Sequence, residues 1–158
     1  MGTAGLAVSS VARDAVEPAS RLVAVHAIQA FTGDLFNRLA ARPGNLVCSP
    51  YSVAVALAMT RNGARGQTAD ELDRVLHAPA LDQLNSGLNS LIQLVEGRAG
   101  GQIRADGSKA TISLDVANSL WGQRDTRWQQ AFLDVLARDY GAGIHLVDYK
   151  RAPEISRS

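Results

Sequence analysis

The chain has 158 residues, 46% of them hydrophobic and 20% charged, with a net charge of +1. That size suggests a single domain able to bury a core, and the composition is globular and not disordered. A near-neutral balance gives no case for nucleic acid or an anionic membrane surface as partner, and no window approaches the ~18 apolar residues of a membrane-spanning helix. A lone cysteine, Cys48, forbids an internal disulfide.

Residues 1–19 lack the basic start and long apolar stretch of a secretion signal and read as a flexible N-terminal tail. From Ser20, an N-cap, to about Ala41, apolar residues recur at helical spacing (Leu22, Val25, Phe31, Leu35, Leu39), and the Arg42–Asn45 turn ends the run. Asn45–Cys48 reads as a short extended segment. Ser49 then looks like an N-cap, with Pro50 at the first helical position, where its missing N–H costs nothing. The helix from Pro50 to about Asn62 is apolar nearly all round, so it belongs inside a protein. Gly63 is the expected left-handed closing residue.

Thr68 and Glu71 have the spacing of a capping box for a third helix that Pro79 ends. Leu81, Leu84, Leu88, Leu91, Ile92 and Val95 form the stripe of a fourth. The glycine-rich segment 97–110 reads as a loop. Alternation over Thr111–Trp121 predicts a strand. Thr126 and Gln129 have capping-box spacing before a helix with Trp128, Phe132, Leu136 and Tyr140 inward. Gly141 and Gly143 break it, and Ile144–Tyr149 predicts a second strand. Two strands rarely make a stable sheet alone, so the pattern implies sheet neighbours beyond this set.

Chemistry is sparse. Cys48 lacks a motif linking it to His26, His77 or His145, and beside an apolar helix it reads as a small buried hydrophobe, not a hydrolase nucleophile. Ser49 lies in no G-x-S-x-G elbow. The Gly63–Gln67 segment lacks the lysine of a P-loop and reads as a tight helix–helix connection. The histidines lack metal-ligand spacing, so no metal and no cofactor is expected. Trp121 and Trp128 read as packing anchors.

In order and spacing, Asn45, Ser49-Pro50-Tyr51-Ser52, Leu57, Gly63-Ala64-Arg65-Gly66 and Thr68 resemble the second-helix region of serpins. Ala117–Gln123 is similar to that family's long central-sheet strand, and Trp128–Glu154 to the helix, edge strand and helix start that follow it. The resemblance implies an α+β fold, with helices packed on an incomplete central β-sheet, over a truncated serpin domain at 20–158. It implies suicide-substrate inhibition of serine proteases, less often cysteine proteases, through an exposed reactive loop that no residue here matches. These residues alone are then expected not to inhibit. Family members are often extracellular.

By the same resemblance Ser49, Pro50 and Ser52 sit at the shutter, where the central sheet parts for the loop, with Asn118 on the strand above. They support a conformational change and perform no chemistry. The helix 81–95 carries no Lys or Arg, so no strong heparin site is expected. The alternative reading is an independent helical interaction module that binds a partner, or associates with itself, through exposed strands 111–121 and 144–149.

Overall fold

The computed structural model describes residues 5–41, 43–98, 100–103, 105–112 and 118–150. Five helices form the body: α1 (Arg21–Ala40), α2 (Pro50–Gly63), α3 (Gly66–Leu76), α4 (Leu81–Glu96) and α5 (Gln130–Tyr140). Helix α1 buries Ala24, Ala27 and Phe31, a narrow stripe of mostly small residues at spacings of three and four. That stripe lets α4 approach closely: a Cβ on Gly87 would stand 2.5 Å from the Ser20 carbonyl oxygen and 3.0 Å from the Ala24 Cβ. Helix α2 buries Ala54, Val55, Ala58 and Met59 between α1, α4 and α5. Leu84, Leu88 and Ile92 of α4, Leu136 of α5 and Ile144 complete the core.

Three strands form one sheet in the order β1 (Gly5–Ala7), β5 (Ile144–Val147), β4 (Leu120–Gln123). β4 and β5 run parallel, Leu120 opposite Ile144 and Gln123 opposite Val147, with α5 as their crossover. β1 is antiparallel to β5, Gly5 opposite Leu146 and Ala7 opposite Ile144. Gly122 is obligatory in β4, because any Cβ there would overlap the Trp128 indole. A separate hairpin pairs β2 (Gly100–Ile103) with β3 (Lys109–Ile112).

Several expectations need correction. Residues 5–19 are not a loose tail. Beyond the β1 pairing, the Asp14 N–H donates to the Arg138 carbonyl (2.9 Å). Ser9 Oγ donates to Asp134, and Glu17 exchanges backbone bonds with the Ser90 hydroxyl. The 97–110 loop holds the β2–β3 hairpin, turned at Gly107 with φ of +80°. Among the described residues Asn45–Cys48 has no strand partner, and all four residues are exposed, Val47 at 97%. Cys48 is therefore on the surface, because an extended segment without a ladder has nothing to fold it inward.

Helix α2 is not covered all round, since Val53 stays exposed. It runs through Gly63 to an extended Ala64, and the left-handed glycine comes later, at Gly66 (φ +57°). Neither capping box forms. Thr68 already lies inside α3, and α5 starts after Gln129 because Gln123–Thr126 closes a turn of its own. Trp121 is 54% exposed and stacks on His145 at 4.7 Å, so it is no core anchor. Of the expected 111–121 strand, residues 113–117 lie outside the described residues.

Candidate functional site

The site expected from the sequence centres on the start of α2 and the strand above it. Ser49 is extended (φ −111°, ψ 94°), and its side chain accepts the Ser52 N–H at 3.3 Å. Its hydroxyl also donates to Ser52 Oγ at 3.1 Å. Pro50 follows at the first helical position. These three residues thus form one cap: Ser49 satisfies an otherwise orphaned helix amide, and Pro50 presets φ. Ser49 is exposed and Ser52 partly buried, so the two hydroxyls remain at the surface end of an otherwise buried helix.

Asn118 lies off that helix, against a different stretch of it. It is partly buried just before β4 and lines a cavity of about 300 Å³ with Val55 and Met59 of α2 and Ile92 of α4. Those α2 residues lie one and two turns beyond Ser52. The structure therefore ranges the four residues along α2, with the serine cap at one end and Asn118 over its middle. Among the described residues no hydrogen bond joins Asn118 to Ser49 or Ser52.

Between these two places Tyr51 is partly buried, and its hydroxyl is buried with no partner. Burial, then the nearby Glu96 carboxylate, pushes this phenol upward, while Arg13 opposes the shift. Arg13 reaches the same region from the N-terminal segment. Its Nη1 donates to Glu96 at 2.9 Å and its Nε to Asn89 at 3.2 Å.

Polar groups missed by sequence reading hold the helices in register. Asn62 of α2 and Asn85 of α4 exchange amide hydrogen bonds at 3.0 and 2.9 Å. The Tyr140 hydroxyl donates to Asn85 at 2.6 Å. All three residues are buried, and burial raises the Tyr140 phenol well above its ordinary value. Asn85 directly follows Leu84 on the stripe of α4, as Asn89 follows Leu88. That pairing of asparagine with each buried leucine was the available signal. Arg61 and Asp73 tie α2 to α3 through two parallel bonds of 2.6 and 2.8 Å.

Among the described residues these contacts hold helices α2–α5 in register. His77 Nε2 sits 2.9 Å from Asp34 Oδ2, while His145 is occupied by Trp121. No group of three His, Cys, Asp or Glu is placed to hold a metal ion among the described residues.

Residues 26–158 match the family described as Serpin (serine protease inhibitor). An uncharacterized serpin-like protein of Thermococcus kodakarensis is 34% identical over 130 residues, covering 82% of this chain and 28% of that one. Leukocyte elastase inhibitor of Xenopus tropicalis is 33% identical over 132 residues, covering 80% of this chain and 32% of the relative. The Bos taurus protein of that name is 35% identical over 131 residues, at 80% and 31% coverage. The chain thus spans less than a third of the length of these curated relatives. The crystal structure of the thermophilic serpin Tengpin in the native state superposes with a TM-score of 0.55 at 18% identity, over 95% of this chain and 37% of that one. That likeness concerns the fold: helices α1–α5 with the β4–α5–β5 unit are a serpin-like α+β arrangement. By the match over 26–158, the chain belongs to the serpin (serine protease inhibitor) family.

Proposed function

We propose that these residues form the N-terminal scaffold of a serpin-type inhibitor of serine proteases, and that they neither inhibit nor catalyse by themselves. The observation that carries this reading is the parallel β4–β5 pair joined by α5, with β4's outer edge unpaired among the described residues. Unpaired edges need partners, and a sheet of this kind is completed by further strands. Inhibition in the family depends on a reactive loop that nothing in the 158 residues resembles. The shutter role falls to Ser49, Pro50, Ser52 and Asn118; the hydroxyls of Ser49 and Ser52 and the amide of Asn118 can bond backbone freed when strands separate, and Pro50 fixes the helix start. Helix α4 carries no Lys or Arg, which supports a weak heparin response.

Incubating the chain with a panel of serine proteases that includes leukocyte elastase, followed by denaturing gels, tests this reading. No covalent complex is expected, and one with any member of the panel would refute the inert scaffold. The same open edge of β4 favours a second reading, association of two chains strand to strand. Sedimentation at rising concentration tests it; a monomer throughout the micromolar range rules it out.

A further inference from the structure

A second cleft, of about 230 Å³, opens between the end of α2 and the start of α5. Arg65 and Arg127 line it, Trp128 and Phe132 wall it, and no carboxylate stands among its described lining residues. The acids near in sequence have other neighbours: Asp125 is held by Lys150 at 2.7 Å and by Gln123 at 2.7 Å, Glu71 accepts from Gln67 at 2.8 Å, Asp73 is held by Arg61, and Asp70 acts on Arg61. Arg65 spends Nη1 on the Asn62 and Ala64 carbonyls, which leaves its charge uncompensated and its Nε and Nη2 uncommitted. Arg127 is exposed and makes no ion pair among the described residues. The Gly63–Gln67 connection therefore does more than join two helices: it carries Arg65 to this cleft.

Two further features favour negative charge here. Arg65 and Gln129 are the N-caps of α3 and α5, neither side chain caps its helix, and neither first turn contains an acid. Both helix starts thus leave amides without side-chain acceptors and present positive dipole ends uncancelled. Independently of the helices, the Trp128 indole N–H is buried and donates to nothing. A buried donor without an acceptor is costly and uncommon in native structures.

We propose that this cleft binds a small oxyanion carried on a flat apolar body, in chemical class an aromatic phosphomonoester. The planar guanidinium groups suit phosphate oxygens, which they can grip with paired N–H bonds. The ring lies against Trp128 and Phe132, whose own rings are tilted by 36° with centroids 6.2 Å apart, leaving an aromatic face to stack on. Inorganic phosphate alone would leave that wall uncovered.

The test uses the 158-residue chain carrying Trp121→Phe, an exposed position, so that Trp128 is the sole tryptophan. Phenyl phosphate is titrated while Trp128 fluorescence and binding heat are followed. Saturable binding is expected, tighter than for inorganic phosphate or benzyl alcohol. Arg127→Gln should weaken it about tenfold or more, as expected for a lost charge-assisted bond. Because Arg127 is exposed and unpaired, the variant keeps the parent's far-UV spectrum and urea midpoint; Arg65→Gln is the second variant. Absence of a saturable signal would overturn the proposal. So would an Arg127→Gln variant binding as tightly as its parent, or either single-feature probe binding as tightly as phenyl phosphate.

Discussion

Replacing Gly87 by alanine tests the close contact between α4 and the start of α1. In an open helix interior this substitution is favourable by about 0.5–1 kcal/mol, because glycine loses more backbone entropy on folding. At Gly87 the new methyl would meet the Ser20 carbonyl oxygen at 2.5 Å, the Ala24 Cβ at 3.0 Å and the Ala24 nitrogen at 3.1 Å. Two of those three neighbours are backbone atoms, so no rotamer change relieves them and α1 must move away from α4. Overpacking of this kind costs about 1–3 kcal/mol, which outweighs the entropy gain and leaves a net loss of about 1–2 kcal/mol. Gly33 supplies the control: it lies in α1 with nothing within 4 Å of an added Cβ. Gly33→Ala should stabilise by about 0.5–1 kcal/mol. With a urea m-value of about 2 kcal/mol/M, the two variants should melt roughly 1 M apart on opposite sides of the parent. Equal midpoints for the two variants would refute the packing argument.

Tyr140→Phe removes the hydroxyl bridging Asn85 and Asn62 and should cost about 1–2 kcal/mol in urea unfolding, since a buried amide loses a partner. The Asp125 carboxyl is held down to about 2 by hydrogen bonds from Lys150 and Gln123. A depressed carboxyl adds stability above its unfolded value of 3.8 that is lost as pH falls toward about 2. Asp125→Asn should therefore flatten the acid limb of a stability–pH curve in that window and leave its shape above pH ~5 unchanged. Cys48 should react with a thiol reagent in the native protein as fast as in urea; strong native protection would contradict its surface position. Deleting residues 1–16 should lower the urea midpoint, because β5 loses an edge partner and Asn89 loses its bonds to Arg13, Asp14 and Ala15. An unchanged midpoint would show that this segment contributes nothing.

The helices were legible because a 3.6-residue apolar period recurs in α1, α4 and α5, and because Ser49-Pro50 marks the start of α2 without ambiguity. Capping boxes misled at Thr68 and Thr126 because the motif is local: whether Ser or Thr caps depends on where the preceding turn ends, and Gly66 and Gln123–Thr126 set those ends. The β2–β3 hairpin had a readable sign in Asp106-Gly107, where Asp106 accepts the Ser108 N–H at 2.9 Å, but the many glycines around it argued for a loop. The Gly5–Ala7 strand was not readable. Three residues carry no period, and their pairing with β5 exists only because an edge was available. At the site, the serine cap was legible from spacing alone. The Asn62–Asn85–Tyr140 network was not, since its members sit 23 and 55 residues apart and meet only after three helices pack.

The sheet is asymmetric in a way that bears on how it can be extended. One side of β5 is taken by β1, whose chain continues along α4 and α5 through Asp14 and Glu17, so strands cannot be added there without displacing that segment. On the other side β4 ends the sheet, and its outer edge faces no strand among the described residues. Among the described residues β1 and β4 are thus the two edge strands of the sheet, and β4 is the edge that belongs to the parallel β4–α5–β5 unit. Asn118, two residues before β4, lines a cavity with Val55 and Met59 of α2. The Ser49 hydroxyl donates to Ser52 Oγ, while the Ser52 O–H and one lone pair on each oxygen are uncommitted among the described residues, so the pair can bond new backbone partners without giving up that contact. In the proposed shutter role, that spare capacity would let the pair bond backbone freed as strands move past it.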